Sequence, residues 1–135
     1  MARTYFKALA VFYLVFGLIT TFYPRLMQIF MTQEGIEAST PFSDQVWLHG
    51  GLDILSISIL LIAFSAMPVT KTSLQAAALV ALMPAAAILY TFLATPFWNP
   101  FFLVPGGAAV TFGVYGFLLA SKEARSSSFS MRLGA

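Results

Sequence analysis

Trp47-Leu48-His49-Gly50-Gly51-Leu52-Asp53, running into Ile54-Leu55-Ser56-Ile57-Ser58-Ile59-Leu60-Leu61-Ile62, is the stretch that decides which solvent this chain is built for. It holds the only histidine of the sequence and the only acidic residue inside an apolar segment. From Val46 to Met67 no lysine or arginine interrupts it. At about 1.5 Å of rise per residue, a helix over that stretch is as long as the roughly 30 Å hydrocarbon layer of a bilayer. A carboxylate inside a membrane span is costly unless it is paired or solvated. Function therefore turns on what surrounds Asp53 and His49.

The rest of the composition agrees with lipid as the solvent. Of 135 residues, 59% are hydrophobic and only 9% charged, against about 25% charged in a soluble domain. The apolar residues come in long runs, which points to membrane helices. The absence of cysteine excludes disulfides and thiol chemistry, and a single histidine excludes a histidine-cluster metal site within one copy. No metal site and no nucleic-acid partner are implied, because a net charge of +2 is small and is best read by position.

The spacing predicts an all-α membrane protein, a bundle of four transmembrane helices over residues 5–23, 46–67, 73–95 and 100–121, followed by a basic, serine-rich, disordered tail over 122–135. A secretory signal peptide is the competing expectation for the first span. The residues after its apolar core, Thr20-Thr21-Phe22-Tyr23-Pro24-Arg25, are too bulky for a cleavage site. Arg25 to Met31 reads as two amphipathic turns at the interface, and Gln33 to Ser39 as a plain loop. Thr40-Pro41 and Ser43-Asp44 are two alternative starts for the second span. Thr72-Ser73-Leu74-Gln75 matches a capping box for the third, in which Pro84 should kink the helix. Asn99 caps the fourth span, and Pro105-Gly106-Gly107 predicts irregular first turns there.

Six of the seven basic residues, Arg3, Lys7, Lys71, Lys122, Arg125 and Arg132, fall on one side of this arrangement. The positive-inside rule then gives an N-in/C-in topology, with both termini cytoplasmic. Tyr23, Trp47 and Trp98 meet at the outer interface, where aromatic belts sit. On the fourth span Gly106, Ala109, Gly113, Gly116 and Ala120 form one small-residue stripe, and Ala77, Ala81 and Ala85 form another on the third; both are expected as mating surfaces.

His49 and Asp53 are four apart and share a helix face. Asp53 lies about 9 Å below Trp47 by helical rise. Tyr90 on the third span sits at a similar depth, and Asp53 is expected to accept a hydrogen bond from Tyr90 or to pair with His49 or Arg25. With Trp47, Trp98 and Asn99, these residues outline an outer-half pocket for a lipophilic ligand or for partner helices. No cofactor is implied by the residues; a quinone headgroup is one candidate occupant. The partners expected are membrane lipids, other membrane subunits or a second copy of the chain. Two alternatives use the same residues: a small enzyme acting on a lipid or sterol-like substrate with Asp53 and His49 as acid and base, and a purely structural assembly subunit.

Four short spans with both ends inside, and a first helix closing in Gly17-Leu18-Ile19-Thr20-Thr21-Phe22-Tyr23-Pro24, resemble the DoxX-like group of small bacterial inner-membrane proteins. Where that group often opens its second span with an arginine-glycine pair, this sequence has His49-Gly50. The resemblance implies a four-helix bundle, in some members an accessory to quinone-linked redox systems.

Overall fold

The computed structural model describes residues 1–133, with the side chains of residues 41–42 and 125–133 left aside. Its elements are α1 (Ala2–Phe22), a 3-10 segment (Pro24–Phe30), a short α2 (Gln33–Ala38), α3 (Pro41–Ala66), α4 (Lys71–Ala94), a single 3-10 turn (Pro100–Phe102) and α5 (Leu103–Leu133). Four of these helices are long and apolar enough to cross a membrane. No strand occurs among the described residues; one isolated bridge pairs Met31 with Trp98.

Helix ends follow local chemistry. Of the two candidate starts for α3, Thr40-Pro41 is used: Pro41 opens the helix and the Thr40 N–H donates to Ser43 Oγ at 3.2 Å. At α4 the cap is Thr70, not Thr72. Pro68 has stopped α3, Thr70 is extended, and its Oγ1 accepts from the Ser73 N–H at 3.1 Å while its own N–H donates to Ser73 Oγ at 3.0 Å. The stretch expected as a plain loop instead contains α2, capped by Thr32, whose hydroxyl accepts from the Gly35 N–H. Gly106 and Gly107 lie within regular α5, and the irregularity falls earlier, in the 3-10 turn. α5 also runs on to Leu133, where the sequence predicts a disordered tail; Gly134 and Ala135 lie outside the described residues.

The bundle is two antiparallel pairs, α1 with α3 and α4 with α5, laid side by side. The first pair closes on glycines. Gly17 lies against Leu55, and Gly51 lies so close to Thr20 and Thr21 that no Cβ fits there. Ser58, fully buried, donates from α3 to the Ala10 carbonyl of α1 at 2.8 Å. In the second pair Gly106 and Gly113 sit under Ile88 and Leu82 of α4, and Gly116 sits under Tyr5 of α1. Ala109 and Ala120 on α5, and Ala77, Ala81 and Ala85 on α4, are buried too. Small side chains let helix backbones approach where lipid gives no hydrophobic drive for association.

One hydrogen bond between the pairs has a clear origin. Pro84 has no N–H, so the Val80 carbonyl four residues earlier loses its helical partner. The Tyr13 hydroxyl of α1 donates to that carbonyl at 2.9 Å. α4 thus passes through a mid-span proline as one continuous helix.

Candidate functional site: an aromatic-lidded chamber

Polar chemistry and empty space part company in this molecule. His49 and Asp53 do share a face of α3, but it is the exposed face. Among the described residues neither side chain makes a hydrogen bond or an ion pair. Tyr90, 74% exposed, stands on the outside of α4 and does not meet Asp53. Arg25 lines a surface recess with Asp44, Tyr23 and Pro24 at the end of the bundle, so it does not meet Asp53 either. Equal depth brought Asp53 and Tyr90 together on paper; their directions around the helix axes keep them apart.

The other three expected residues do converge. Trp98 stacks on Phe102 with ring centroids 4.1 Å apart, and its edge meets Trp47 at 5.8 Å. Phe30 closes on Phe102 from the 3-10 segment at 6.3 Å. Asn99 pins this aromatic cluster to the chain before it. Its Nδ2 donates to the carbonyls of Ile29 and Met31 at 2.8 and 3.0 Å, its N–H donates to the Phe30 carbonyl, and its Oδ1 caps the following turn by accepting from the Phe101 N–H. Thr32 adds two bonds to the same strap, from its N–H to the Phe97 carbonyl and from its hydroxyl to the Pro96 carbonyl. Gly35 rests directly on the Phe97 backbone, where a side chain would not fit. The segment expected to lie along the interface is therefore folded over the bundle end, with Met27 buried.

Beneath this lid is a chamber of ≈ 180 Å³. All four spans wall it: Phe12, Tyr13 and Phe16 from α1, Trp47 and Ile54 from α3, Pro84, Ala87 and Ile88 from α4, and Pro105 and Ala109 from α5. Met27, Phe30 and Phe102 form the roof, and no polar surface faces the interior. The hydroxyl of Tyr13 is turned to the Val80 carbonyl, which leaves the ring as wall. As ligand-binding residues, those of this wall went unmarked in the sequence apart from Trp47. Tyr13 and Pro84 carried the available signal: both are mid-span interruptions of apolar runs, and depth counting places them at one level. No cluster of metal-ligating side chains occurs among the described residues.

Compared with known proteins, the chain matches no family model, no curated protein and no solved structure.

Proposed function

We propose that this small integral membrane protein holds a lipophilic molecule, or the hydrocarbon part of one, in the chamber under the Trp47–Trp98–Phe102 lid. The observation that carries this reading is a partly open space of ≈ 180 Å³ with an entirely apolar wall. Water does not settle in such a space, because it needs polar partners; a purely apolar cavity of about 150 Å³ in another protein stays dry and binds benzene. Left empty, the chamber forgoes dispersion contacts along its whole lining. Its size suits one ring or a short length of chain, below the roughly 300 Å³ at which drug-sized sites begin. The wall has no donor for a quinone carbonyl, so an isoprenoid or acyl portion fits better than a headgroup. With the orientation that the basic residues imply, the lid faces the outer leaflet. A role beside a membrane redox complex would follow the DoxX-like resemblance. Acid–base catalysis by Asp53 and His49 is not favoured, since both point away from the chamber.

The test uses the full chain in lipid nanodiscs with Trp98→Phe, which leaves Trp47 as the one indole. 1-Bromodecane is the probe, and its bromine quenches an indole that it touches. Saturable quenching is expected, together with its loss in Ala87→Phe, whose ring occupies the chamber. Quenching that rises linearly and equally in both proteins would mean that the probe reaches Trp47 only from bulk lipid, and the reading would be wrong.

A further inference from the structure

The chamber continues away from its lid. About one helical turn below it lies a second apolar pocket of ≈ 120 Å³. α3 steps from Ile54 in the chamber wall to Ile57 in the pocket wall, and α4 steps from Pro84 to Val80. Ser73 carries the one hydroxyl of the pocket lining, and it is turned to the Thr70 carbonyl at 2.8 Å. α1 packs closely on α3, and α4 on α5, but α3 and α4 scarcely touch each other. The two spaces therefore follow one another along a single cleft between α3 and α4. Leu60, Phe64, Ala76 and Ala87 line it and are exposed, so the cleft is open along its side to whatever surrounds the bundle.

We propose that this cleft holds a single-chain lipid whose tail is longer than one leaflet, with its free end under the lid and its polar head at the opposite end of the bundle. The inference rests on the reading of the chamber as a lipophilic site and names the kind of molecule that enters it. Length selects the class. By helical rise the cleft runs roughly 22–25 Å, on α3 from Trp47 to Phe64 and on α4 from Ile88 to Ser73. One leaflet is half of the roughly 30 Å hydrocarbon layer. An ordinary phospholipid tail stops near the mid-plane, so it fills one space and leaves the other empty. The lid sets the direction. Met27, Phe30 and Phe102 roof the chamber without polar surface, and a polar head buried there would lack a hydrogen-bond partner. Only the end of a chain fits under them. Chamber and pocket together reach the roughly 300 Å³ at which ligand sites begin, which the chamber alone does not.

The full chain carrying Trp98→Phe, in nanodiscs, serves again, now with bromine at the end of an anchored chain. 11-Bromoundecanoate is about half as long as the cleft and 22-bromodocosanoate about as long. The longer acid is expected to quench Trp47 saturably at roughly tenfold lower concentration, because it alone keeps contacts along both spaces. Adding Ala76→Phe, whose ring occupies the lower pocket, should weaken the longer acid about tenfold. Bromobenzene, small enough for the chamber alone, should shift by less than about twofold in the same variant. The chain-length comparison needs no change in the pocket, so it decides the matter even where Ala76→Phe does not fold. Equal concentrations for the two acids would overturn the long-chain inference, as would a longer acid that ignores Ala76→Phe; saturable quenching by bromobenzene would then leave the chamber reading standing. Loss of saturable quenching by bromobenzene as well, in the protein without Ala76→Phe, would sink the chamber reading and this inference with it.

Discussion

The two faces of α3 divide its small and polar residues between opposite duties. The inner face carries Gly51 and Ser58, one allowing α1 to come within backbone contact and the other bonding to the Ala10 carbonyl. On the outer face, one residue or two away in sequence, are Gly50, with open space around its Cα, and Ser56, whose hydroxyl donates only to the Leu52 carbonyl of its own helix. Residue type alone therefore does not say which side is buried. In a bilayer both sides of a helix are apolar, and the inner side is chosen by fit and by whether a partner acceptor waits there.

The sharpest way to break this contrast is one substitution made on both sides. At Gly51 an added Cβ collides with the hydroxyls of Thr20 and Thr21 and with the Thr21 backbone nitrogen. Neither threonine can yield cheaply, since both are buried and Thr20 is held by its bond to the Phe16 carbonyl at 2.9 Å. Gly51→Ala is expected to destabilise the fold by about 2–3 kcal/mol. Gly50→Ala should raise stability by up to ~1 kcal/mol, the ordinary gain of replacing glycine in a helix. Steric-trapping measurements of unfolding in bicelles report both values, and the opposite signs are the point. Equal effects would mean that α1 and α3 do not cross at Gly51.

A smaller contrast comes from the serines. Ser58→Ala leaves the Ala10 carbonyl with its helical bond but removes a buried cross-helix bond, and a cost of about 1 kcal/mol is expected. Ser56→Ala should change the stability of the single chain by less than about 0.5 kcal/mol, as surface substitutions do. The same unfolding assay separates them.

These pairs also show what the sequence could and could not tell. The spans, the terminating prolines Pro24 and Pro68, the cap at Asn99 and the meeting of Trp47 with Trp98 follow from runs, breakers and depth. Depth is countable because rise per residue is constant. Direction around the axis is not, because α3 and α4 are apolar nearly all round and have almost no amphipathic bias to read. That is why Asp53 and Tyr90 share a level without sharing a site. The small-residue stripe of α5 was readable for a different reason: glycine and alanine mark close approach whichever way the polar groups point. The chamber went unread because its lining is phenylalanine, isoleucine and proline, which look the same in sequence whether they face lipid, a neighbour or a cavity.

The inner-face rule can be pressed one step further, to a place where the backbone itself creates the need. Val80 is short of a hydrogen-bond donor only because residue 84 is proline, and Tyr13 supplies one from across the bundle at 2.9 Å. Tyr13→Phe keeps the ring as chamber wall and removes the donor. In the native background this leaves a buried carbonyl unpaired, and a loss of about 1 kcal/mol is expected. In a Pro84→Ala background the backbone N–H of the introduced alanine takes over that carbonyl, so the same Tyr13→Phe change should cost much less. The difference between the two, a double-mutant coupling of ~0.6 kcal/mol by the scale of membrane helices, isolates the bond from the packing of the ring. A coupling near zero would mean that the Tyr13 hydroxyl adds nothing to the union of the two helix pairs, and that the ring alone, through the wall it lends to the chamber, accounts for the burial of Tyr13.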